Sequence, residues 1–186
     1  MSAVSIQQSF VSPADYLAAE DLSETKNEYV DGCVFARAQS NLRHADIGTN
    51  ILCALKPLLR GSKYRILGCD ARIHLLHGKS ERLYYPDGSV VGGRVDMDAL
   101  FVDNPDVVFE VLSPATERLD REEKKDAYLR CESLQAYVIV HSERVEVTIH
   151  TRVGDGWDVI VYNELTDTLP LPCIECELPL AAIYEE

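Results

Sequence analysis

No apolar run in this chain approaches the length of a bilayer span, so no membrane-crossing helix is expected. The start, MSAVSIQQSF, lacks the basic residues and apolar stretch of a secretory leader, which predicts a cytoplasmic protein with no membrane partner. Internal repeats and linkers are absent, and 186 residues fit one domain around one core. Positive charge is scarce. There are 18 Lys and Arg against 31 Asp and Glu, a net charge of −13, which at first sight argues against nucleic acid. Hydrophobic residues at 46% exclude a disordered chain.

Six cysteines are present. Cys33, Cys53, Cys69 and Cys131 lie among apolar residues and read as buried free thiols. Cys173 and Cys176 form one CxxC. A zinc ribbon needs a second pair, and the sequence has none.

The charge is unevenly spread. Residues 1–93 carry ten basic and ten acidic side chains, and residues 94–186 carry eight and twenty-one. Within the neutral half, residues 37–82 hold nine basic residues against three acidic ones. A solvated basic face is the plainer reading of that segment, and a phosphate-facing surface the sharper one.

The pattern of elements is mixed α/β. Ser12 and Asp15 with Pro13 predict a capped short helix. Asp31-Gly32 between 27–30 and 33–36 predicts a tight hairpin. Residues 44–60 carry an apolar stripe (Ile47, Ile51, Leu55, Leu58, Leu59) and predict a helix kinked or ended early by Pro57, with Gly61 beyond it. Strands are expected at 64–67 and 71–76, then a polar turn over 77–82. A strand at 83–91 is interrupted by Pro86 and Gly88, and 92–104 is a loop. A doubly buried strand spans 106–113 and is ended by Pro114. A helix at 120–131, paired strands at 136–142 and 144–152, a WDVIVY strand and a proline-rich tail complete the chain.

Two acids stand out. Glu110 is the lone acid in an apolar strand, which is costly unless it is paired or binds a metal. Asp87 sits where Pro86 and Gly88 break another strand. Carboxylates on neighbouring strands can share a hard, oxygen-loving ion, and such an ion can activate water beside a phosphate. Asp120, Lys124 and Tyr128 recur at i, i+4, i+8 and share a helix face. Asp120–Lys124 reads either as a weak surface pair or as part of a site with the two acids. His44, at a helix start, suits phosphate contact or proton transfer as well as it suits a capping role. Asp70 either pairs with Arg72 or faces the metal. His74, His77, His141 and His150 show no ligand spacing.

The strings K-x-E-Y-V-D-G (26–32), His44, C-D-A-R (69–72), Y-Y-P-D (84–87), F-E-V-L-S-P-A-T (109–116) and D-R-E-E-K-K-D-A-Y (120–128) occur in order. Together they resemble the Uma-two family of restriction-endonuclease-like proteins, a branch of the PD-(D/E)XK nuclease superfamily, over about residues 13–183. The resemblance implies a restriction-endonuclease-like core, a mixed β-sheet flanked by helices, and a Mg²⁺-dependent DNA endonuclease in which Mn²⁺ substitutes. It implies that Asp87 and Glu110 bind the metal with the carbonyl of Val111, and that Glu28 completes the shell. The motif lysine, expected two residues after Glu110 where Leu112 stands, has moved to Lys124. His44 joins the catalytic set. Gly88 and Ser89 depart from the valines usual after the PD acid and are expected to loosen Asp87. DNA is the expected partner, through the basic 37–82 segment, and a homodimer the expected assembly. The alternatives are an inactive nuclease fold that binds DNA or a protein partner, and an oligomerisation module whose carboxylates hold structural Ca²⁺.

Overall fold

Local devices set the geometry first. Ser12 caps the first helix, accepting the amide hydrogen of Asp15 at 3.1 Å, and Pro13 occupies its first turn. Asp31 and Gly32 both adopt positive φ (48° and 92°), the backbone that a two-residue hairpin requires, and Gly32 adopts it without steric cost. Asn41 caps the long helix by accepting the amide hydrogen of His44 at 3.0 Å. Pro57 lies in the last turn of that helix, which ends at Leu58.

The computed structural model of the chain describes residues 10–37, 41–113 and 117–185. The elements are α1 (Pro13–Glu20), β1 (Asn27–Val30), β2 (Cys33–Ala36), α2 (Leu42–Leu58), β3 (Tyr64–Gly68), β4 (Ile73–His77), β5 (Ser80–Tyr84), β6 (Gly88–Gly92) and β7 (Val107–Leu112). Next come α3 (Glu117–Leu119), a π-helical turn (Asp120–Lys124), α4 (Lys125–Leu129), β8 (Ala136–His141), β9 (Val147–Val153) and β10 (Gly156–Tyr162). The chain closes with β11 (Thr168–Leu171), a short 3₁₀ turn (Pro172–Ile174), β12 (Cys176–Pro179) and α5 (Leu180–Ile183).

Three sheets result. The main one has six strands in the order β10-β9-β8-β7-β6-β3, with only β7 and β8 parallel, so it is mixed as the sequence led one to expect. A second has the order β2-β1-β5-β4, and β11-β12 form a hairpin. Strand β7 alternates across its sheet. Val107, Phe109 and Val111 enter the core beneath α2, with Ile47, Ile51 and Leu55 from the helix and Leu169, Leu178 and Ile183 from the tail. Burying each large aliphatic side chain there stabilises by roughly 1.5–3 kcal/mol. Val108 and Leu112 enter a second core with Ile73, Tyr84, Tyr128 and Tyr137. Glu110 has the parity of Val108 and Leu112, and so belongs to that second side.

Several expectations need correction. The strand expected at 83–91 is two strands in different sheets. β5 serves the four-stranded sheet, the chain turns through Tyr85–Pro86–Asp87, and β6 joins the six-stranded sheet beside β7. The polar turn expected at 77–82 contracts to Gly78-Lys79, because His77 already pairs with Ser80 and the polar Ser80–Arg82 run is strand. Cys53 and Cys69 are exposed, and Cys33 and Cys131 half-buried, so apolar neighbours in sequence did not mean burial in space. Cys173 and Cys176 are free; burial pushes the Cys173 thiol up to about 11, which disfavours the thiolate a metal or redox site needs. Pro114 lies outside the described residues.

Candidate functional site

The corner at residues 85–87 is held by acids. With β6 beginning only at Gly88, paired to Phe109, the next amide along β7 has no strand partner on that side. Asp87 Oδ2 accepts that hydrogen, from Val111, at 2.7 Å. On the other flank, Glu28 of β1 accepts the amide hydrogen of Tyr85 at 3.1 Å. Both carboxylates therefore cap strand ends that the change of sheet leaves open.

Asp87 has two further partners. Arg37 Nη2 donates to Oδ1 at 2.6 Å, and His44 Nε2 lies 3.2 Å from Oδ2. Burial raises the Asp87 pKa, but the hydrogen bond and charge of His44, then Arg37 and the Val111 amide, outweigh it and hold the carboxyl below its ordinary range. Helix α2 supplies this face by a regular repeat. His44 reaches Asp87, a Cβ at Gly48 would lie 4.0 Å from the Asp87 Cβ, and one at Gly88 would lie 3.1 Å from Leu52 Cδ2. Gly88 is thus where the helix comes down on the sheet. The expectation that Gly88 loosens Asp87 is reversed, since the missing side chains of Gly48 and Gly88 let α2 and His44 close on the acid.

Glu28 and two more carboxylates gather on one ammonium. Lys124 Nζ lies 2.9 Å from Glu28 Oε1, 3.3 Å from Glu110 Oε1 and 3.5 Å from Asp120 Oδ1. All four side chains are under a tenth exposed. Lys124 also lies over the Tyr84 ring, 5.4 Å from its centroid. The reading of Asp120–Lys124 as a surface pair is overturned. The π-helical turn that holds both faces the second core, and such turns recur at functional sites. Burial lowers the Lys124 pKa, but Glu110, Glu28 and Asp120 outweigh it and keep the amine charged. Burial drives the Glu110 carboxyl well above its ordinary value; Lys124 opposes this, and Asp120, Asp87 and Glu28 add to the rise.

The charge balance is uneven. Glu28, Asp87, Glu110 and Asp120 oppose two permanent cations, Lys124 and Arg37, with His44 at the margin. The donors are oxygens, the set a hard dication takes. Among the described residues the buried hydroxyl of Tyr128 has no hydrogen-bond partner, and its charge neighbours are Glu110 and then Tyr137 and Glu28. By charge and donor type the residues fit Mg²⁺. By present arrangement they converge on an ammonium, and among the described residues no three His, Cys, Asp or Glu side chains stand grouped at ligand spacing.

Of the residues singled out in the sequence, Asp87, Glu110, Lys124, Glu28, His44 and Val111 come together. Asp70 does not. Its side chain is 88% exposed and paired with Lys26, while Arg72 donates to the carbonyl of Leu100 and pairs with Asp21. Arg37 was missed as an individual, because nothing local distinguishes one arginine whose partner lies fifty residues on. The basic 37–82 segment is not one surface. Arg37 and Arg72 turn inward, whereas Lys56, Arg60, Lys63 and Arg65 are exposed at the end of α2 remote from His44, about 18 Å away at 1.5 Å per residue. A cavity of about 1060 Å³ beside the first turn of α2, lined by Arg43, Ile47, Ser142, Arg144 and Tyr184, contains none of the clustered carboxylates.

Residues 13–182 match the model of the Uma2 family, whose description is "Putative restriction endonuclease". The uncharacterized protein slr1290 of Synechocystis is 30% identical over 175 residues, covering 94% of this chain and 91% of that one. A second Synechocystis protein, the uncharacterized sll1609, is 30% identical over 146 residues, covering 76% and 81%. Among solved structures, a protein of Anabaena variabilis titled a putative nuclease belonging to DUF820 superimposes with a TM-score of 0.70 at 18% identity, over 87% of this chain and 91% of that one.

Proposed function

The chain belongs to the Uma2 family, and from that premise we propose that it is a metal-dependent endonuclease that hydrolyses phosphodiester bonds in DNA. The observation that carries this reading is that Asp87, in the turn before β6, accepts the amide hydrogen of Val111 beside Glu110 on β7, with Lys124 3.3 Å from Glu110.

In this reading Asp87, Glu110 and the carbonyl of Val111 hold Mg²⁺, with Mn²⁺ able to substitute, and Glu28 completes the set. The ion supplies polarisation of the phosphate and of a water. Lys124, kept charged by its acidic neighbours, would orient a water and offset charge developing on phosphate. His44 is held against Asp87 from the first turn of α2, placed to meet a phosphate or pass a proton. Arg37 fixes the second oxygen of Asp87. Arg43, exposed on the turn that carries His44, is the basic residue of the 37–82 segment best placed to meet DNA near the site.

A second reading keeps the fold without cleavage. Its support is that Asp87 and Glu110 are under a tenth exposed and already paired, while the acidic half of the chain resists DNA. Incubation of supercoiled and single-stranded DNA with Mg²⁺ or Mn²⁺ separates the two. Cleavage by the wild type, lost in Glu110→Ala and Lys124→Ala, supports the nuclease. Binding without cleavage by any form supports the second reading, and wild-type cleavage by Glu110→Ala refutes the assignment.

A further inference from the structure

Lys124 is placed strangely for a residue whose only task is to orient water. Its ammonium is buried, and it is nearest to Glu28 (2.9 Å) and next to Glu110 (3.3 Å), two of the carboxylates that the proposed function gives to the metal. Asp120, at 3.5 Å on the same π-helical turn, is not among those ligands. We propose that Lys124 is a resident counter-cation that holds the metal's place, and that Asp120 is the anion to which it withdraws when the site loads. This rests on the metal-site reading above and can fail separately from it.

The physical case is one of charge. Four carboxylates shut away from solvent repel one another, and a fold that kept them all unpaired would be heavily penalised. One ammonium shared among three of them relieves that without a metal. A dication entering among Glu28 and Glu110 must then meet the ammonium as a like charge, so the lysine competes for the same oxygens. Competition need not expel it. Asp120 and Lys124 are four residues apart on one helical segment, so the pair survives a change of side-chain torsion while the backbone stays in place. The backbone that carries Asp120 is anchored, because its carbonyl accepts the Tyr137 hydroxyl hydrogen at 3.0 Å. Lys124 therefore has an anion on an anchored turn to retreat to.

The test is Mn²⁺ titration by calorimetry on DNA-free protein, with circular dichroism to verify folding. Lys124→Met should bind Mn²⁺ at least about tenfold more tightly than wild type, a conservative share of the repulsion between charges about 4 Å apart. Asp120→Asn alone should weaken binding, since Lys124 then stays on Glu28 and Glu110. In the Lys124→Met background the same change should have no effect, whereas a directly ligating Asp120 would still cost affinity there. Equal affinity in wild type and Lys124→Met, or weaker binding by the latter, overturns the displacement while leaving the metal site standing. Absence of Mn²⁺ binding by every form at millimolar concentration overturns both. If Lys124→Met does not fold, Asp120→Asn decides alone: unchanged or tighter binding refutes the proposal.

Discussion

The carboxylate of Asp87 completes the backbone of β7, accepting the Val111 amide hydrogen at 2.7 Å where β6 has turned away. The same side chain is the sole carboxylate that Arg37 and His44 meet at this corner among the described contacts. It is therefore scaffold and candidate ligand at once. Asp87→Ala should lower the unfolding free energy by about 3–5 kcal/mol, the cost of stranding buried charged partners, as measured by urea denaturation without metal. Asp87→Asn, which keeps one accepting oxygen, should cost less. A loss below about 1 kcal/mol for the alanine variant would show that the amide and Arg37 find other partners.

Glu110 gives a pH effect of the opposite sign to Asp87. Its folded pKa is raised well above the ordinary value by burial, against Lys124 and with Asp120, Asp87 and Glu28. Above about pH 4.3 the unfolded chain releases this proton while the folded chain retains it. The stability so gained is full below the unfolded pKa and is lost as pH rises through the folded one. Glu110→Gln removes that loss. The melting temperature of the variant in EDTA should gain on wild type steadily as pH rises from about 5 to 8. Parallel melting curves across that range would mean that Lys124 compensates Glu110 fully.

The sequence made part of this legible and hid part for identifiable reasons. Glu110 and Asp87 were visible because an acid in an apolar strand, or at a Pro-Gly break, contradicts its surroundings. Lys124 was visible through its four-residue spacing from Asp120. The split of residues 83–91 was not, because both halves read as strand and local pattern carries no information on which sheet receives each. The burial of Asp120 was hidden for a similar reason: D-R-E-E-K-K-D looks like a solvated helix face until the π-helical turn directs two of its charges inward. Counting bases over 37–82 failed because linear charge density does not separate Arg37, turned onto Asp87, from Lys56, left in water.

Gly88 tests how α2 is seated. A methyl there would lie 3.1 Å from Leu52 Cδ2, closer than packed carbon atoms sit. Gly88→Ala should destabilise by about 1–3 kcal/mol, as overpacking does. Because His44 lies two turns before Leu52 on the same helix, the variant should also weaken the His44–Asp87 contact, read as a changed His44 imidazole signal in NMR. Adding Leu52→Val should recover part of both losses. Additive effects of the two changes would mean that helix and glycine do not meet as described.

The last prediction concerns assembly. β10 is an edge of the six-stranded sheet, and Val159, Ile160 and Val161 along it are each at least half exposed. Lysine, proline and bulges, the usual protections of such an edge, are missing from its seven residues. A second copy suits it. Antiparallel pairing about a two-fold axis at Ile160 sets Val159 against Val161, Asp158 against Tyr162 and Gly156 against Glu164, so no acid faces an acid despite the overall charge. β7 lies three strands in from this edge, which at the usual strand spacing, with half a spacing more to the axis, places each Glu110 about 17 Å from the axis. Light scattering should report a dimer for the wild type at micromolar concentration. Ile160→Lys should report a monomer with a melting temperature close to wild type, since a half-exposed side chain contributes little within one copy. A wild-type monomer removes the dimer altogether, and a dimer that survives Ile160→Lys moves it to another face.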